Sequence, residues 1–388
     1  MKAMILAAGA GTRLKPLTSR LPKPMLPIIE KPVIEFIVEL LAKYDVKEIM
    51  VNVSHLAGVL QNYMRSGYRF GVRIGYSFEG HFENGQLVPE PVGSAGGLKK
   101  IQEKSGFFDE TFIVLCGDAI VDFDIAKAYE FHKASNSMAT IISKEVETKK
   151  VSNYGIIVSD SSGRVESFQE KPPIDKARSN LANTGIYIFE PEVFDYIPSK
   201  QFFDIGGELL PLLVQKKERV FSLDTKIEWY DIGRNSDYLE ILGMALRGQI
   251  RGFEPSGKQV TEGLWKGTGS VLEKSTKIIT PVFIGAGSLV EKNVKLEGPV
   301  MIGSNCKIHN GVELSNVFVG DYTRIKPGFK GKNLLITSEY YVTVDGSGGS
   351  IADSNLKNYI SDVRSLEGNS TVHKRAIFNR ARIVHTFF

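Results

Sequence analysis

The chain has 388 residues, 42% hydrophobic and 24% charged, which is ordinary for a globular protein of about two or three domains. Its net charge of +4 is mild and dispersed, which argues against a nucleic-acid partner but suits small anionic ligands. No apolar stretch is as long as the roughly 18 residues of a membrane span, and the two cysteines, Cys116 and Cys306, form no metal or disulfide pattern. We therefore expect a cytoplasmic protein without a membrane segment.

The first part of the chain predicts an α/β fold. Strand-like runs alternate with helix-like runs, at lengths typical of a mostly parallel sheet flanked by helices. Ligands of such sheets bind beyond the carboxyl ends of the strands. The predicted strands cover residues 3–7, 48–53, 72–78 and 111–116. The predicted helices cover residues 33–44, 56–66, 95–103 and, further along, 235–246.

A glycine-rich loop follows the first predicted strand. It contains Gly9, Gly11 and Arg13, and Lys23 stands soon afterwards between two prolines. Glycines let backbone N–H groups approach a polyphosphate closely, and the two cations add positive charge. The spacing is not that of a dinucleotide-binding loop, which would have a glycine in place of Leu14, and it lacks the Gly-Lys-Ser/Thr of a P-loop. The loop therefore predicts a different kind of phosphate site.

Two aspartates follow apolar stretches later in the chain. Asp118 comes directly after the predicted strand that ends at Cys116, and Asp231 follows Trp229 and Tyr230. Magnesium takes one or two carboxylates together with substrate phosphates, so an acid at a strand end near a phosphate loop is a natural ligand. A simple turn aspartate is the alternative at both positions.

Residues 139–232 are rich in strand-like patterns and contain further polar candidates. A hairpin-like turn joins a strand that starts near Gly155 to one that closes at Glu170 and Lys171. A glutamate beside a lysine at a strand end can hold a sugar hydroxyl and a phosphate, although exposed pairs of this kind are common. Asn183 opens another strand.

Aliphatic residues then recur at every sixth position from Leu272 to Leu314, and the register slips by one residue at Val319. This period fits neither a helix nor an ordinary strand. It predicts a hexapeptide parallel β-helix, in which stacked coils bury a shared core. Because coil stacks have open ends and flat faces, we expect a homo-oligomer. The period is lost from Phe329 onward.

In this order, the motifs resemble those of the sugar-1-phosphate nucleotidylyltransferase family. The motifs are Gly11-Thr12-Arg13-Leu14, Pro22-Lys23-Pro24, Gly117-Asp118, Glu170-Lys171-Pro172, Asn183-x-Gly185 and Trp229-x-Asp231-x-Gly233. The resemblance implies an α/β fold, with a Rossmann-like mixed-sheet catalytic domain followed by a left-handed parallel β-helix. The implied boundaries are 1–240 for the catalytic domain, 241–270 for a helix and linker, 271–328 for the β-helix, and 329–388 for a tail of unknown structure.

The resemblance also implies roles for residues. Catalysis would fall to Arg13, Lys23, Asp118 and Asp231, with the two aspartates holding Mg²⁺. Nucleotide binding is implied for Leu6, Ala8, Gly9, Gly11, Thr12, Arg13 and Gly93. Sugar-phosphate binding is implied for Gly155, Glu170, Lys171 and Asn183. The expected substrates are an NTP and a sugar 1-phosphate, which would give an NDP-sugar and pyrophosphate.

A second set of motifs is similar to the uridylyltransferases of this family that act on glucose 1-phosphate. It comprises Met50-Val51-Asn52-Val53-Ser54-His55, Tyr76-Ser77-Phe78-Glu79-Gly80, Gly93-Ser94-Ala95-Gly96-Gly97-Leu98-Lys99-Lys100 and Cys116-Gly117-Asp118-Ala119. Mannose-1-phosphate guanylyltransferases are the alternative. The residue that would recognise the nucleotide base is not identified. Many relatives have a lysine or arginine that helps to bind the sugar phosphate in the segment corresponding to residues 203–213, and this chain has none there. Arg234 is a candidate substitute.

Two other classes of protein stay open at this point. One is a hexapeptide acyltransferase that would use a histidine between coils, for which His309 is the candidate. The other class is a non-catalytic regulatory relative, and the charged residues at positions 13, 23, 118, 171 and 231 argue against it.

The run of small residues that opens a helix at Gly93 also has two explanations. It could accommodate an anionic or flat ligand, or it could be a packing turn.

Overall fold

The structure is a computed structural model that describes residues 1–83 and 86–365. The chain divides into two compact units, Met1–Glu254 and Pro255–Phe388. None of the helices in the described residues is long and apolar enough to cross a membrane.

The first unit alternates strands and helices in the order that the sequence predicts. Its α-helices are α1 (Val33–Lys43), α2 (Ala57–Met64), α3 (Ser94–Ser105), α4 (Ile125–Ala134), α5 (Leu210–Gln215) and α6 (Asn235–Leu246). Its strands are β1 (Lys2–Leu6), β2 (Pro27–Ile28), β3 (Lys31–Pro32), β4 (Glu48–Val53), β5 (Arg73–Phe78), β6 (Gly80–Glu83), β7 (Gln86–Pro89), β8 (Phe112–Cys116), β9 (Ala119–Asp122), β10 (Ala139–Glu145), β11 (Gly155–Ser159), β12 (Val165–Glu170), β13 (Leu181–Phe189), β14 (Val220–Asp224) and β15 (Glu228–Asp231). The helix predicted over residues 235–246 is confirmed at both ends.

A mixed sheet forms the centre of this unit, with its main strands in the order β12-β11-β13-β8-β1-β4-β5. The strands of the first part of the chain, β1, β4, β5 and β8, are parallel, as predicted. The later strand β13 runs antiparallel to β8, β10 and β11. Ala3, Met4 and Ile5 of β1 are fully buried, which is expected of a central strand covered on both faces.

Three parallel strands end at one edge of the sheet. Leu6, at the end of β1, is the register partner of Asn52 in β4 and of Cys116 in β8. The glycine loop and the Gly117-Asp118 turn therefore begin side by side, at the edge where ligands of α/β sheets bind.

The second unit is a stack of short parallel strands. Its strands are β16 (Lys258–Thr261), β17 (Leu264–Lys266), β18 (Val271–Leu272), β19 (Lys277–Ile279), β20 (Val282–Ile284), β21 (Leu289–Val290), β22 (Lys295–Ile302), β23 (Lys307–Ile308), β24 (Glu313–Val319), β25 (Thr323–Ile325), β26 (Lys330–Ile336), β27 (Tyr340–Thr343), β28 (Gly348–Ser350) and β29 (Ile360–Asp362). Val282 pairs with Val300 and Val300 with Val317, so the later coil is one residue shorter. This is the predicted register slip.

The tail predicted from residue 329 continues the stack as far as the structure describes it. Gly331 is the register partner of Leu314, and a Cβ at Gly331 would lie 2.7 Å from the Phe329 ring. Phe329 therefore fills the space of the missing aliphatic side chain, which explains why the six-residue period is lost. The predicted boundary at residue 240 falls inside α6, and residues 366–388 of the predicted tail lie outside the described residues.

Candidate active site

The glycine loop contains two glycines with different structural roles. Gly11 has φ +61°, and a Cβ there would lie 2.9 Å from Cγ2 of Thr18, so the fold itself requires glycine. A Cβ at Gly9 would meet nothing within 4 Å. Gly9 therefore leaves open space next to the loop, which a ligand could fill.

The other predicted nucleotide-binding residues of this segment surround the loop. Leu6 is the last residue of β1, and its carbonyl accepts a hydrogen bond from Gly117 N at 2.8 Å. Ala8 is half-buried, and Thr12 and Arg13 lie exposed on a short 3₁₀ turn, Thr12–Leu14. Their side chains are available to an incoming anion.

Lys23 begins a second 3₁₀ turn, Lys23–Met25, directly after Pro22. Its Cβ lies 3.4 Å from the position that a Cβ on Gly11 would take, so this turn packs against the glycine loop. Only 11% of the lysine side chain is exposed. Its Nζ lies 2.5 Å from Oδ2 of Asp118 and 3.9 Å from Oδ1 of Asp231.

The pairing of β9 with β15 brings the two aspartates together. Asp231 stands opposite Ala119 in this antiparallel pair, and Ile232 N donates to Asp118 O at 3.3 Å. Burial raises the pKa of Asp231 to about 6; Lys23 opposes this rise, and the Asp118 carboxylate adds to it. An additional positive charge near both carboxylates would stabilise their ionised forms.

Two carboxylates at adjacent strand ends, beside a phosphate-binding type of loop, fit a magnesium ion that completes its shell with phosphates and water. No group of three or more histidine, cysteine, aspartate or glutamate side chains within residues 1–83 and 86–365 could hold a metal ion by itself. Asp118 and Asp231 are a partial ligand set for such an ion.

Three of the predicted sugar-phosphate residues form a second cluster. Gly155 and Glu170 are register partners in the β11–β12 hairpin. A Cβ on Gly155 would lie 3.2 Å from Oε2 of Glu170 and 3.9 Å from Cβ of Asn183. Oδ1 of Asn183 accepts from Gly185 N at 3.0 Å, and its Nδ2 donates to the Tyr187 hydroxyl at 3.0 Å. Lys171 is exposed and forms an ion pair with Glu170.

Cys116 connects the two clusters. A Cβ on Gly185 would lie 2.6 Å from Cys116 Sγ, which places the turn after Asn183 against the end of β8. Burial raises the pKa of this thiol well above its usual range, with the Asp118 carboxylate adding to the effect. We therefore regard Cys116 as an uncharged thiol that packs beneath the site.

Gly93 lies on a third segment, at the start of α3. It has φ +77°, and a Cβ there would lie 2.4 Å from the carbonyl oxygen of Phe203. Phe203 N in turn donates to Val92 O, and Gly96 N donates to Phe203 O, both at 2.9 Å. This packing requires glycine at position 93 whether or not a nucleotide base lies against it.

The structure reveals polar residues that the sequence analysis did not place in the site. Asn52 and Glu79 form a buried pair behind the glycine loop. A polar residue at the carboxyl end of a buried strand was the available signal for Asn52. Arg234, the candidate substitute for the missing basic residue, lies three positions after Asp231, and its Nη2 donates to Oδ1 of Asn153 at 3.1 Å.

His309, the candidate for acyl transfer, lies on the coil stack. Its Nδ1 is 3.3 Å from Oε1 of Glu291, whose Oε2 accepts from Asn310 N at 3.0 Å. These contacts account for the histidine as a side chain that packs against Glu291 on the stack.

Comparison with known protein families identifies the family of this chain. A family model described as nucleotidyl transferase matches residues 2–247, and one described as bacterial transferase hexapeptide matches residues 281–316. The chain belongs to the nucleotidyl transferase family. The first unit of this nucleotidyl transferase carries the glycine loop and both aspartates, and the hexapeptide match lies within the coil stack.

Individual relatives of this nucleotidyl transferase are sugar-1-phosphate nucleotidyltransferases. The chain is 45% identical to a UTP–glucose-1-phosphate uridylyltransferase of Synechocystis sp. over 365 residues, which is 94% of each protein. It is 36% identical to mannose-1-phosphate guanyltransferase beta-B of Xenopus laevis over 278 residues, which is 71% of this chain and 72% of that protein. The uridylyltransferase is thus the more similar of the two.

A solved structure shares the fold of the first unit. The structure of a UDP-glucose pyrophosphorylase with UDP-glucose superposes with a TM-score of 0.53 at 22% identity, covering 64% of this chain and 98% of that one.

Proposed function

We propose that this protein transfers a uridylyl group from UTP to glucose 1-phosphate, giving UDP-glucose and pyrophosphate. The observation that supports this proposal most is the position of Lys23, which packs against the glycine loop and lies close to both Asp118 and Asp231. The full-length similarity to a uridylyltransferase supports the choice of base and sugar.

In the proposed reaction, an oxygen of the sugar 1-phosphate forms a bond to the α-phosphorus of UTP. The bond from that phosphorus to the bridging oxygen of the β-phosphate breaks, and pyrophosphate leaves with the electron pair. The attacking oxygen is already anionic, so the reaction needs no general base. The protein must instead bring two anions together and stabilise charge on the α-phosphoryl group.

Each predicted residue has a task in this scheme. The backbone around Gly9 and Gly11 would cradle the phosphates of UTP, and Arg13 would contact the leaving pyrophosphate. Lys23 would bind the α-phosphate and the incoming sugar phosphate. The cluster of Gly155, Glu170 and Asn183 would hold the sugar, and Lys171 its phosphate. The remaining predicted nucleotide contacts are Leu6, Ala8, Thr12 and Gly93.

We assign Mg²⁺ to the carboxylates of Asp118 and Asp231. When bound, the ion would neutralise phosphate charge during transfer. The two side chains are about one-third exposed, at 32% and 33%, so a metal–nucleotide complex can reach them from solvent.

The decisive experiment is a pyrophosphate-release assay with Mg²⁺. It crosses UTP, GTP, dTTP and ATP against glucose 1-phosphate and mannose 1-phosphate. We expect strong turnover with UTP and glucose 1-phosphate and its loss in Asp118→Asn. The matched control is Asp122→Asn, which removes the same charge four residues further along the chain, at the end of β9, where Asp122 pairs with Lys43 and Arg251.

Other outcomes would redirect the assignment. Turnover with GTP and mannose 1-phosphate would make the protein a guanylyltransferase. No pyrophosphate release with any pair would favour a non-catalytic regulatory relative, and acetyl-CoA turnover would favour the acyltransferase class. Activity that survives in Asp118→Asn would contradict the role given to this carboxylate.

We further propose that the protein is a cytoplasmic homo-oligomer, and the coil stack supports the association of copies. Val271 and Ile279, on β18 and β19 at its first coil, are 47% and 61% exposed. Within the described residues, β18 pairs only with β21 and β19 only with β22, so each has an open edge. Light scattering on the purified protein would measure the mass, and a monomer at all concentrations would contradict this proposal.

A further inference from the structure

A buried polar pair lies directly behind the glycine loop. Asn52 Oδ1 accepts a hydrogen bond from Ala7 N at 2.7 Å, and Asn52 Nδ2 donates to Glu79 Oε1 at 2.5 Å. The two residues are only 3% and 4% exposed. Burying a carboxylate and an amide is costly unless the hydrogen bonds are made, so the pair calls for an explanation that the proposed chemistry does not supply.

Asn52 controls how the chain leaves β1. Leu6 is the last residue of β1 that pairs with β4, and its partner there is Asn52 itself. The next backbone N–H, on Ala7, goes to the Asn52 side chain instead of to a strand. The direction in which the glycine loop starts therefore depends on where this amide oxygen points.

Glu79 determines the orientation of the Asn52 amide. An asparagine can present either its oxygen or its nitrogen to a neighbour, whereas an ionised carboxylate only accepts hydrogen bonds. By accepting from Nδ2, Glu79 turns Oδ1 towards Ala7. Burial raises the pKa of Glu79, and the hydrogen bond from Asn52 opposes that rise.

The same carboxylate also contacts the segment before α3. It accepts a backbone hydrogen bond from Val92, next to Gly93. A Cβ on Gly97 would lie 2.7 Å from Oε1 of Glu79, so the first turns of α3 leave room for this carboxylate. Glu79 thus joins the glycine loop, through Asn52, to the segment that carries Gly93.

We propose that Glu79 and Asn52 are positioning residues that set the glycine loop for the nucleotide phosphates. Glu79 acts only through Asn52, and neither touches the substrate phosphates. This inference rests on the proposed function, because it treats the loop as the phosphate-binding element. It goes beyond that function by naming what holds the loop in its binding conformation.

The test compares Asn52→Leu, Glu79→Gln and the double variant in the full-length enzyme. The KM values for UTP and glucose 1-phosphate are measured separately. We expect the KM for UTP to rise about tenfold in Asn52→Leu, because this variant loses the hydrogen bond that aligns the binding loop. The KM for glucose 1-phosphate should be unchanged. The double variant should be no worse than Asn52→Leu alone, because coupled residues are non-additive.

The control is Glu190→Gln, which alters another carboxylate with several hydrogen bonds, from Thr111 and Lys133. It should lower the melting temperature and leave the KM for UTP unchanged. Hydrogen exchange gives a second readout, since the Ala7 amide should lose protection in Asn52→Leu and in Glu79→Gln.

Equal rises in both KM values, additive effects in the double variant, or an unchanged KM for UTP would overturn the proposal. If the wild-type enzyme shows no turnover with any nucleotide, the proposed function fails. Hydrogen exchange of the Ala7 amide then still tests whether Asn52 and Glu79 position the loop. Retained Ala7 protection in Glu79→Gln would then overturn it.

Discussion

The Lys23 ammonium lies 2.5 Å from Oδ2 of Asp118, the same carboxylate that we assign to Mg²⁺. Asp231, the second assigned ligand, lies 3.9 Å from the same nitrogen. A divalent cation at the proposed site would therefore compete with the lysine for one pair of carboxylates. Binding of the cation would free the ammonium to reach a phosphate.

This competition predicts that Lys23→Met binds a divalent cation more tightly in the absence of nucleotide. Breaking a hydrogen bond between charged groups corresponds to roughly a tenfold gain in affinity. Mn²⁺ titration followed by calorimetry or electron paramagnetic resonance would measure it. Lys23→Arg, which keeps the charge, and Lys15→Met, which removes an exposed charge from the same segment, should show no gain. Weaker Mn²⁺ binding in Lys23→Met would refute the competition.

The same lysine should matter strongly for turnover. Lys23→Ala removes a positive charge from the α-phosphoryl group in the transition state, for which we expect a loss on the order of 10²–10³ in kcat. Steady-state pyrophosphate release measures it. Lys15→Ala is the matched control, and turnover near the wild-type value in Lys23→Ala would contradict the assignment.

The two loop glycines should respond differently to substitution by alanine. Gly11→Ala should destabilise the protein by about 1–2 kcal/mol, because the left-handed backbone disfavours a Cβ and Thr18 lies too close. Gly9→Ala should leave the melting temperature unchanged and raise the KM for UTP, because its Cβ would enter open space where the phosphates bind. Thermal unfolding and nucleotide kinetics on both variants separate the two effects. A large stability loss in Gly9→Ala would argue against this division.

Stability should fall in acid because of His132, a fully buried ring whose Nδ1 lies 2.7 Å from the Thr140 hydroxyl. Burial lowers the pKa of His132 to about 4 from its ordinary 6.5. Below about pH 6.5 the unfolded chain takes up a proton that the folded protein does not, so the free energy of unfolding falls until about pH 4.

Between pH 7.5 and 5 this amounts to about 2 kcal/mol. Chemical denaturation of the wild type and of His132→Gln at both pH values measures it as the difference between their pH dependences, because the raised pKa of Asp231 acts in the opposite direction over the same range. His132→Gln should lose this contribution, whereas the half-exposed His81→Gln should keep it. An equally steep dependence in His132→Gln would show that another group titrates.

Local patterns were sufficient to predict most elements of the first unit. The pattern of residues 33–44 predicts a helix, and the structure confirms it as α1, whose buried residues include Ile34, Ile37 and Leu41. The coil stack was equally predictable from the sequence, because each coil repeats the same spacing of buried aliphatic residues. The continuation beyond Phe329 could not be predicted, since the Phe329 ring occupies the space beside Gly331 and replaces the repeated aliphatic side chain there.

The candidate site was predictable only in part. Strand ends and glycines indicated Lys23, Asp118 and the loop, because charge and backbone geometry are local properties of a sequence. The partnership of Asn52 with Glu79 depends on the orientation of two buried side chains, which no spacing encodes. The roles of the site residues remain predictions that the experiments above address.

The end of the coil stack sets a limit on how copies of this protein can assemble. A parallel coil could in principle be lengthened indefinitely by the next chain. Here β29 runs antiparallel along β25, and β27 runs antiparallel along β26, so both strands of the last coil are already paired. Terminal repeats of this kind stop propagation. Antiparallel strands do not continue the parallel pairing of the coils, so in the proposed homo-oligomer this end of the stack would disfavour head-to-tail fibres and favour a closed, symmetric assembly.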